Sequence, residues 1–235
     1  MIIIAFSDVH GNSDALEVFL NEIKHEKYDK IVFCGDIFGY YYNQIKVINL
    51  LQGIKDLLWI KGNHDDYFLK LYEGKMNEES CIKRFGHSYD KGNEIYNNEV
   101  YTLIRKLSSH VDIYDNINDI KIGVYHGSPY DELEDRVYPD TIIVNEKKYN
   151  DYDIVILGHT HCRMKRYVGN TLVVNPGSVG QPRDGLGFCY AKIDTTSMNV
   201  KFKTFNVDTT KLYKQIDVYD KNLTKLKAVL ERGAK

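Results

Sequence analysis

Five short stretches hold side chains able to grip a metal ion or move a proton. They are Asp8 with His10; Asp36; Asn63 with His64 and Asp65; His126; and His159 with His161. Asp8-x-His10 and His159-x-His161 each place two donors two residues apart, where alternate residues of an extended chain face the same way. Oxygen and imidazole donors without thiolate suit Mn²⁺, Fe, Co, Ni or Zn²⁺. The Asp36 carboxylate has two oxygens with separate lone pairs, so it can bridge two ions. Any one of these pieces alone is more often a turn than a site. Together they share a position: each follows an apolar run, so their side chains can converge on one point.

Those runs are the elements that must do the positioning. Residues 2–6, 30–34, 57–60, 120–125 and 153–157 are apolar and rich in β-branched residues, as expected of strands covered on both faces. Between the first three, Leu16, Phe19, Leu20 and Ile23 recur at helical spacing after Ser13 as N-cap. A second helical set, Ile45 to Leu51, ends near Gly53. This is a βαβαβ unit with parallel strands and right-handed crossovers. Gly62-Asn63-His64-Asp65 is expected as a tight turn, with Gly62 supplying the bend. Residues 73–98, polar and containing Gly74, Gly86 and Gly92, break the rhythm. They form an insertion over one sheet edge, either a lid or contact surface or a solvated loop.

Val100, Leu103, Ile104 and Leu107 restore helical spacing. Short strands at 164–168, 171–174, 188–193 and 200–205 then follow without helices between them, an antiparallel extension that implies two packed sheets with helices outside. In the tail, Leu223, Leu226, Val229 and Leu230 predict a helix whose lysines make a solvated face. The expected organisation is one domain over 1–206, with 73–98 inserted, and a helical extension over 207–235.

The 235 residues suffice for a substantial core, and 43% hydrophobic with 27% charged residues is ordinary for a globular chain. A formal charge of −2 gives no bulk attraction to polyanions, so nucleic acid is not an expected partner. No run approaches a membrane span, and residues 1–6 are too short for a signal peptide. Cys34, Cys81, Cys162 and Cys189 are scattered, which fits free thiols and a cytoplasmic protein. Cys162, although next to His161, is expected as a small apolar side chain; His25, His87 and His110 are expected at the surface. A homo-oligomer is compatible with the sequence.

Asp8-x-His10, Gly35-Asp36, Gly62-Asn63-His64-Asp65, His126-Gly127 and Gly158-His159-Thr160-His161 together resemble the full signature of the calcineurin-like metallophosphoesterases. Asn175-Pro176-Gly177-Ser178-Val179-Gly180-Gln181-Pro182-Arg183 resembles the small bacterial and archaeal phosphodiesterase branch of that superfamily. The resemblance runs from the first strand to about residue 190. It implies a four-layer αββα sandwich of two mixed β-sheets and two divalent transition-metal ions, manganese foremost, with Fe, Ni, Co or Zn as alternatives. It assigns Asp8, His10 and His161 to one ion, Asn63, His126 and His159 to the other, and Asp36 to both. His64 is left to face the substrate, with Asp65 as its orienting partner.

The expected reaction is hydrolysis of a small phosphodiester. A hydroxide shared by the two ions attacks in line, and His64 protonates the leaving oxygen. Such a centre carries a net charge of about +1. That charge alone favours a monoester dianion, so a diester preference needs the phosphate to have few further cations around it. Only Lys61 and Arg163 lie beside the motifs. Gly177, Gly180 and Arg183 are open between approach to the site and ordinary turn or surface roles. The alternatives are a phosphomonoesterase using the same centre and a non-catalytic scaffold, like the retromer subunit of this fold. The position matching His64 is not histidine in that subunit.

Overall fold

The computed structural model describes residues 1–233. Strands β1 (Ile2–Phe6), β2 (Lys30–Phe33) and β3 (Leu57–Trp59) pair in parallel, and helices α1 (Ser13–Ile23) and α2 (Gln44–Gln52) make the crossovers. On the other side of β1 lie β9 (Phe188–Asp194) and then β10 (Asn199–Phe205), both antiparallel to their neighbours, giving the order β10-β9-β1-β2-β3. The second sheet, β4-β5-β6-β8-β7, is built from β4 (His110–Asp115), β5 (Ile120–Tyr125), β6 (Ile154–Ile156), β7 (Arg163–Val168) and β8 (Thr171–Pro176). Its three central strands are parallel and its two edges antiparallel. Both sheets are mixed, as expected.

Side-chain alternation explains why the central strands read as unbroken apolar runs. Ile3, Ala5 and Val32 face Val124, Ile154 and Ile156 between the sheets. Ile4, Phe6, Ile31 and Phe33 point the other way, onto the layer that contains α1 and α2. Val155, Leu157 and Val173 on the outer face of the second sheet meet Val137 and Tyr149 from the segment 129–152, which is covered by turns rather than a helix.

Four local expectations change. The cap of α1 is Asn12, whose side chain accepts from the Ala15 amide at 3.2 Å; Ser13 is the first helical residue. Strand β4, an edge, was not expected from the sequence; only Ile113 and Asp115 of its six residues are buried. Asn63, His64 and Asp65 are not a turn but the first residues of α3 (Asn63–Tyr72), with Gly62 as its cap. Residues 73–98 are more than a solvated loop: they contain α4 (Glu78–Phe85) and a 3₁₀ turn at His87–Tyr89, and they bury Cys81, Phe85, Tyr89 and Ile95.

The chain resumes through α5 (Asn98–Lys106) and closes with α6 (Thr210–Tyr219) and α7 (Thr224–Gly233). The tail packs onto the first sheet's helical layer through Leu212, Ile216, Leu226 and Leu230. Asp220, between α6 and α7, accepts from the His87 amide and ring and from the Tyr42 hydroxyl, so it ties tail, insertion and body together. Among the described residues no helix is long and apolar enough to cross a membrane. All four cysteines are free.

Candidate metal centre

The strand ends converge at one edge of the sandwich. Asp8 and His10 follow β1, Asp36 follows β2, and Asn63 opens α3 just past β3. From the second sheet come His126 after β5, and His159 and His161 after β6. Ligand atoms of Asp8, His10, Asp36 and His161 lie within 4.8 Å of one another, and so do those of Asp36, His126 and His159. Asp36 belongs to both groups. Asn63 Oδ1 is 3.0 Å from His126 Nε2. All seven expected ligand residues therefore meet, and every one is buried.

Backbone strain marks the same positions. Asp8, His10, Asp36, His159 and His161 all have positive φ, between 49° and 70°. Non-glycine residues there cost about 1–3 kcal/mol each and persist where the surroundings over-determine them. The surroundings do so here. The Asp36 carbonyl accepts from the amides of Val9 and His10, while Gly180 N–H and Ser178 Oγ–H both donate to the Asp8 carbonyl. Asn175 Nδ2 donates to Gly158 O and Thr160 Oγ1, fixing the His159 loop. The 175–183 stretch thus acts by holding the site's backbone. A Cβ on Gly180 would overlap the Val9 carbonyl, which settles its role as close approach. Gly62, likewise, is extended, with φ −98°; it is glycine because a Cβ would overlap Asp36 Oδ1, not to make a bend.

Three imidazoles are fixed by carbonyls. His10 Nδ1–H donates to Phe38 O (2.6 Å), His126 Nδ1–H to Cys34 O (2.7 Å) and His161 Nδ1–H to Gln181 O (2.7 Å). That leaves Nε2 facing inward in each. Burial lowers His10 to about 4 and His161 well below the ordinary imidazole value, so both are neutral near pH 7. Their bare Nε2 lone pairs then face each other at 3.0 Å, an arrangement that calls for a cation. Beside them, both oxygens of Asp8 and Oδ2 of Asp36 are buried with no hydrogen-bond partner. Unpartnered buried carboxylate oxygens are rare and expensive. The donor set fits divalent metal ions.

The remaining charges are consistent with this. Burial pushes the Asp8 carboxyl up to about 7, with Asp36 adding to the rise. For Asp36 burial acts upward too, but His126, His64 and His10 outweigh it and hold the carboxyl below its usual range. Burial opposes charge on His126, yet Asp36 at 3.3 Å lifts it to about 9. Without metal, a buried proton on His126 supplies part of the positive charge the carboxylates lack.

His64 belongs to neither ligand group. Its partner is Tyr89, from the insertion: the Tyr89 hydroxyl donates to His64 O (3.0 Å), so it must accept from His64 Nδ1–H (2.8 Å). Nε2 is left free on a side chain that lines the pocket over the site. Asp65 does not orient His64. Its carboxylate accepts from the amides of Gly62 (2.8 Å), Asp36 (3.0 Å) and Ile37 (2.8 Å), so it shapes the Asp36 loop. Asp65→Ala strands three buried N–H groups at about 1–3 kcal/mol each. We expect a loss of about 3 kcal/mol or more in urea unfolding; a loss below about 0.5 kcal/mol would contradict this role.

Four cations line the pocket: Arg183, which the sequence left open to such a role, and Arg84, Arg136 and Lys225, which sequence reasoning did not bring there. Arg136 Nε lies 3.1 Å from His159 Nε2. Lys225 is on the tail helix α7, so at least one tail lysine is not part of a plain solvated face. Cys162 donates to Thr160 O and joins no ligand group, as expected. His87 and His110 are half-exposed, paired with Asp220 and Glu132.

Comparison with known proteins agrees with the geometry. Residues 1–198 match the family model described as the calcineurin-like phosphoesterase superfamily domain. An uncharacterised protein of Methanocaldococcus jannaschii is 28% identical over 232 residues, 92% of this chain and 91% of that one. A protein of the same organism named a phosphodiesterase is 26% identical over 174 residues, 73% of this chain and 80% of its own. Among solved structures, a metallophosphoesterase from Sphaerobacter thermophilus superposes with a TM-score of 0.77 at 24% identity, over 100% of both chains.

Proposed function

The chain belongs to the calcineurin-like phosphoesterase superfamily, and from that premise we propose that it hydrolyses small phosphodiesters at a centre of two divalent metal ions. The observation that carries the metal reading is the set of buried, unpartnered oxygens of Asp8 and Asp36 beside facing imidazole lone pairs. In this reading Asp8, His10 and His161 hold one ion, Asn63, His126 and His159 the other, and Asp36 serves both. When bound, such ions supply a nucleophile from water near neutral pH and positive charge for the phosphoryl oxygens. Manganese is the first candidate, with Fe, Ni, Co and Zn as alternatives for this donor set.

The chain's own contribution is positioning and proton transfer. Carbonyl-bound Nδ1 atoms fix three of the four imidazole ligands, His10, His126 and His161, and the Asp65 carboxylate fixes the Asp36 loop. His64, held by Tyr89 through Nδ1, presents Nε2 to the leaving oxygen and donates a proton there. Burial keeps it neutral in the free protein. An anionic substrate beside it favours the protonated form, so His64 loads its proton with the substrate present.

The diester preference is supported by the relative named a phosphodiesterase. Its other ground, a phosphate with few cations around it, has to be set against Arg84, Arg136, Arg183 and Lys225 in the pocket. Those cations favour a second reading, a phosphomonoesterase at the same centre. The test is hydrolysis of bis-nitrophenyl phosphate and nitrophenyl phosphate after chelation and reloading with each divalent metal. Activity should vanish on stripping, return with metal, and show the higher kcat/KM for the diester. A monoester ahead by about tenfold, 1.4 kcal/mol, moves the assignment to phosphomonoesterase; inactivity on both with every metal contradicts the proposal.

A further inference from the structure

Arg84, Arg183 and Lys225 line the pocket over the site without belonging to either ligand group. Arg84 lies over the Phe85 ring, 4.8 Å from its centroid, and Phe85 in turn packs edge-on against His64 at 4.6 Å. Arg183 lies 5.4 Å from the centroid of Tyr40, whose ring packs against His10 at 4.7 Å and His64 at 4.9 Å. Arg84 thus reaches His64 through the Phe85 ring, and Arg183 packs on a tyrosine whose ring meets both His10 and His64. Lys225 joins the pair: its Nζ donates to the Arg84 carbonyl at 2.6 Å. The three groups come from α4, from the loop after β8 and from α7, so insertion and tail meet at the mouth of the pocket.

Among the described residues Arg84, Arg183 and Lys225 form no ion pair, whereas nearby Arg163 is held by Asp184 at 2.7 Å. Arg183 hydrogen-bonds only neutral oxygens, the Tyr40 hydroxyl and Gln181 Oε1. Arg84, Arg183 and Lys225 line the same pocket, and partial burial followed by repulsion from the two arginines lowers the Lys225 ammonium pKa. Like charges gathered without a counter-charge are unfavourable until an anion joins them, and guanidinium with ammonium is the donor set that grips phosphate.

Resting on the phosphoesterase reading of the inner site, we propose that Arg84, Arg183 and Lys225 form a second anion subsite, so that the substrate carries another phosphoryl group besides the one hydrolysed. This also reconciles a cation-lined pocket with diester chemistry, because the outer cations then serve the second group and not the scissile one.

The test is calorimetric binding of methylenediphosphonate and of methylphosphonate, neither of which is hydrolysed, to manganese-loaded protein. The bisphosphonate should bind at least about tenfold more tightly than the monophosphonate, the scale of one or two charge-assisted contacts. In Arg84→Gln/Lys225→Gln that ratio should fall toward one, with methylphosphonate affinity unchanged within about twofold. Lys225→Arg, which keeps the charge and shares Lys225's place in the fold, should hold the wild-type ratio. A wild-type ratio near one overturns the subsite, as does an equal loss of both ligands in the double variant. Repeating the titrations on metal-stripped protein separates the two readings. Methylphosphonate binding that ignores the metal counts against the inner-site reading alone, whereas bisphosphonate binding equal in stripped wild type and stripped double variant counts against the subsite.

Discussion

Asp36→Asn is expected to weaken both metal positions together by more than about 100-fold and to take hydrolysis down with them. Changes that only touch a ligand from outside already cost about 10–100-fold in metal affinity. Asp36 is placed more centrally than that. It is common to both ligand groups, its Oδ2 is buried without a hydrogen-bond partner, and its Oδ1 accepts the His64 amide at 2.8 Å. An asparagine keeps the shape and one acceptor but loses the charge, and it offers an amide where a second carboxylate oxygen is needed. Substitution at Asp8 removes a carboxylate from one group alone, so Asp8→Asn should leave the His126–His159 side able to bind. A difference between these two variants in the number of ions lost is what a shared carboxylate requires.

His64→Ala is expected to keep the metals and lose about 10²–10⁴-fold in kcat, the usual contribution of a positioned general acid. The side chain stands outside both ligand groups, and its Nδ1 is engaged by Tyr89. Only Nε2 is free to act. The loss should shrink for esters with good leaving groups, which need less help from a proton. Kinetics on a series of aryl esters with graded leaving-group pKa checks this. Equal losses across the series would argue against the acid role, and loss of metal from the variant would make His64 part of the ligand support.

The ligand set was legible in the sequence because each member follows an apolar run, and five parallel-type strand ends leave few places for their side chains except a common edge. What supports the ligands was less visible. Helix α3 was hidden because its first three residues carry the conspicuous motif, while Tyr67, Phe68 and Leu71, which bury it, follow in a segment that reads as a continuation of the turn. Edge strand β4 lacks the two-sided burial that makes central strands obvious. In 73–98 the helical face is only Cys81 and Phe85, too short a period to stand out. The resemblance gives Asp65 to His64, whereas from N3 of α3 its carboxylate points back to the cap and across to the Asp36 loop. Arg84, Arg136 and Lys225 had no signal at all. They reach the pocket through tertiary packing of insertion, loop and tail, and no spacing rule connects them.

The claim on which the rest depends is that one buried carboxylate serves two adjacent metal positions. Counting manganese per chain by elemental mass spectrometry, after stripping, reloading and removal of free metal, tests it most directly. The account predicts two ions in the native protein and well below one in Asp36→Asn. Fewer than one ion in the native protein, or a full complement retained by Asp36→Asn, would contradict it.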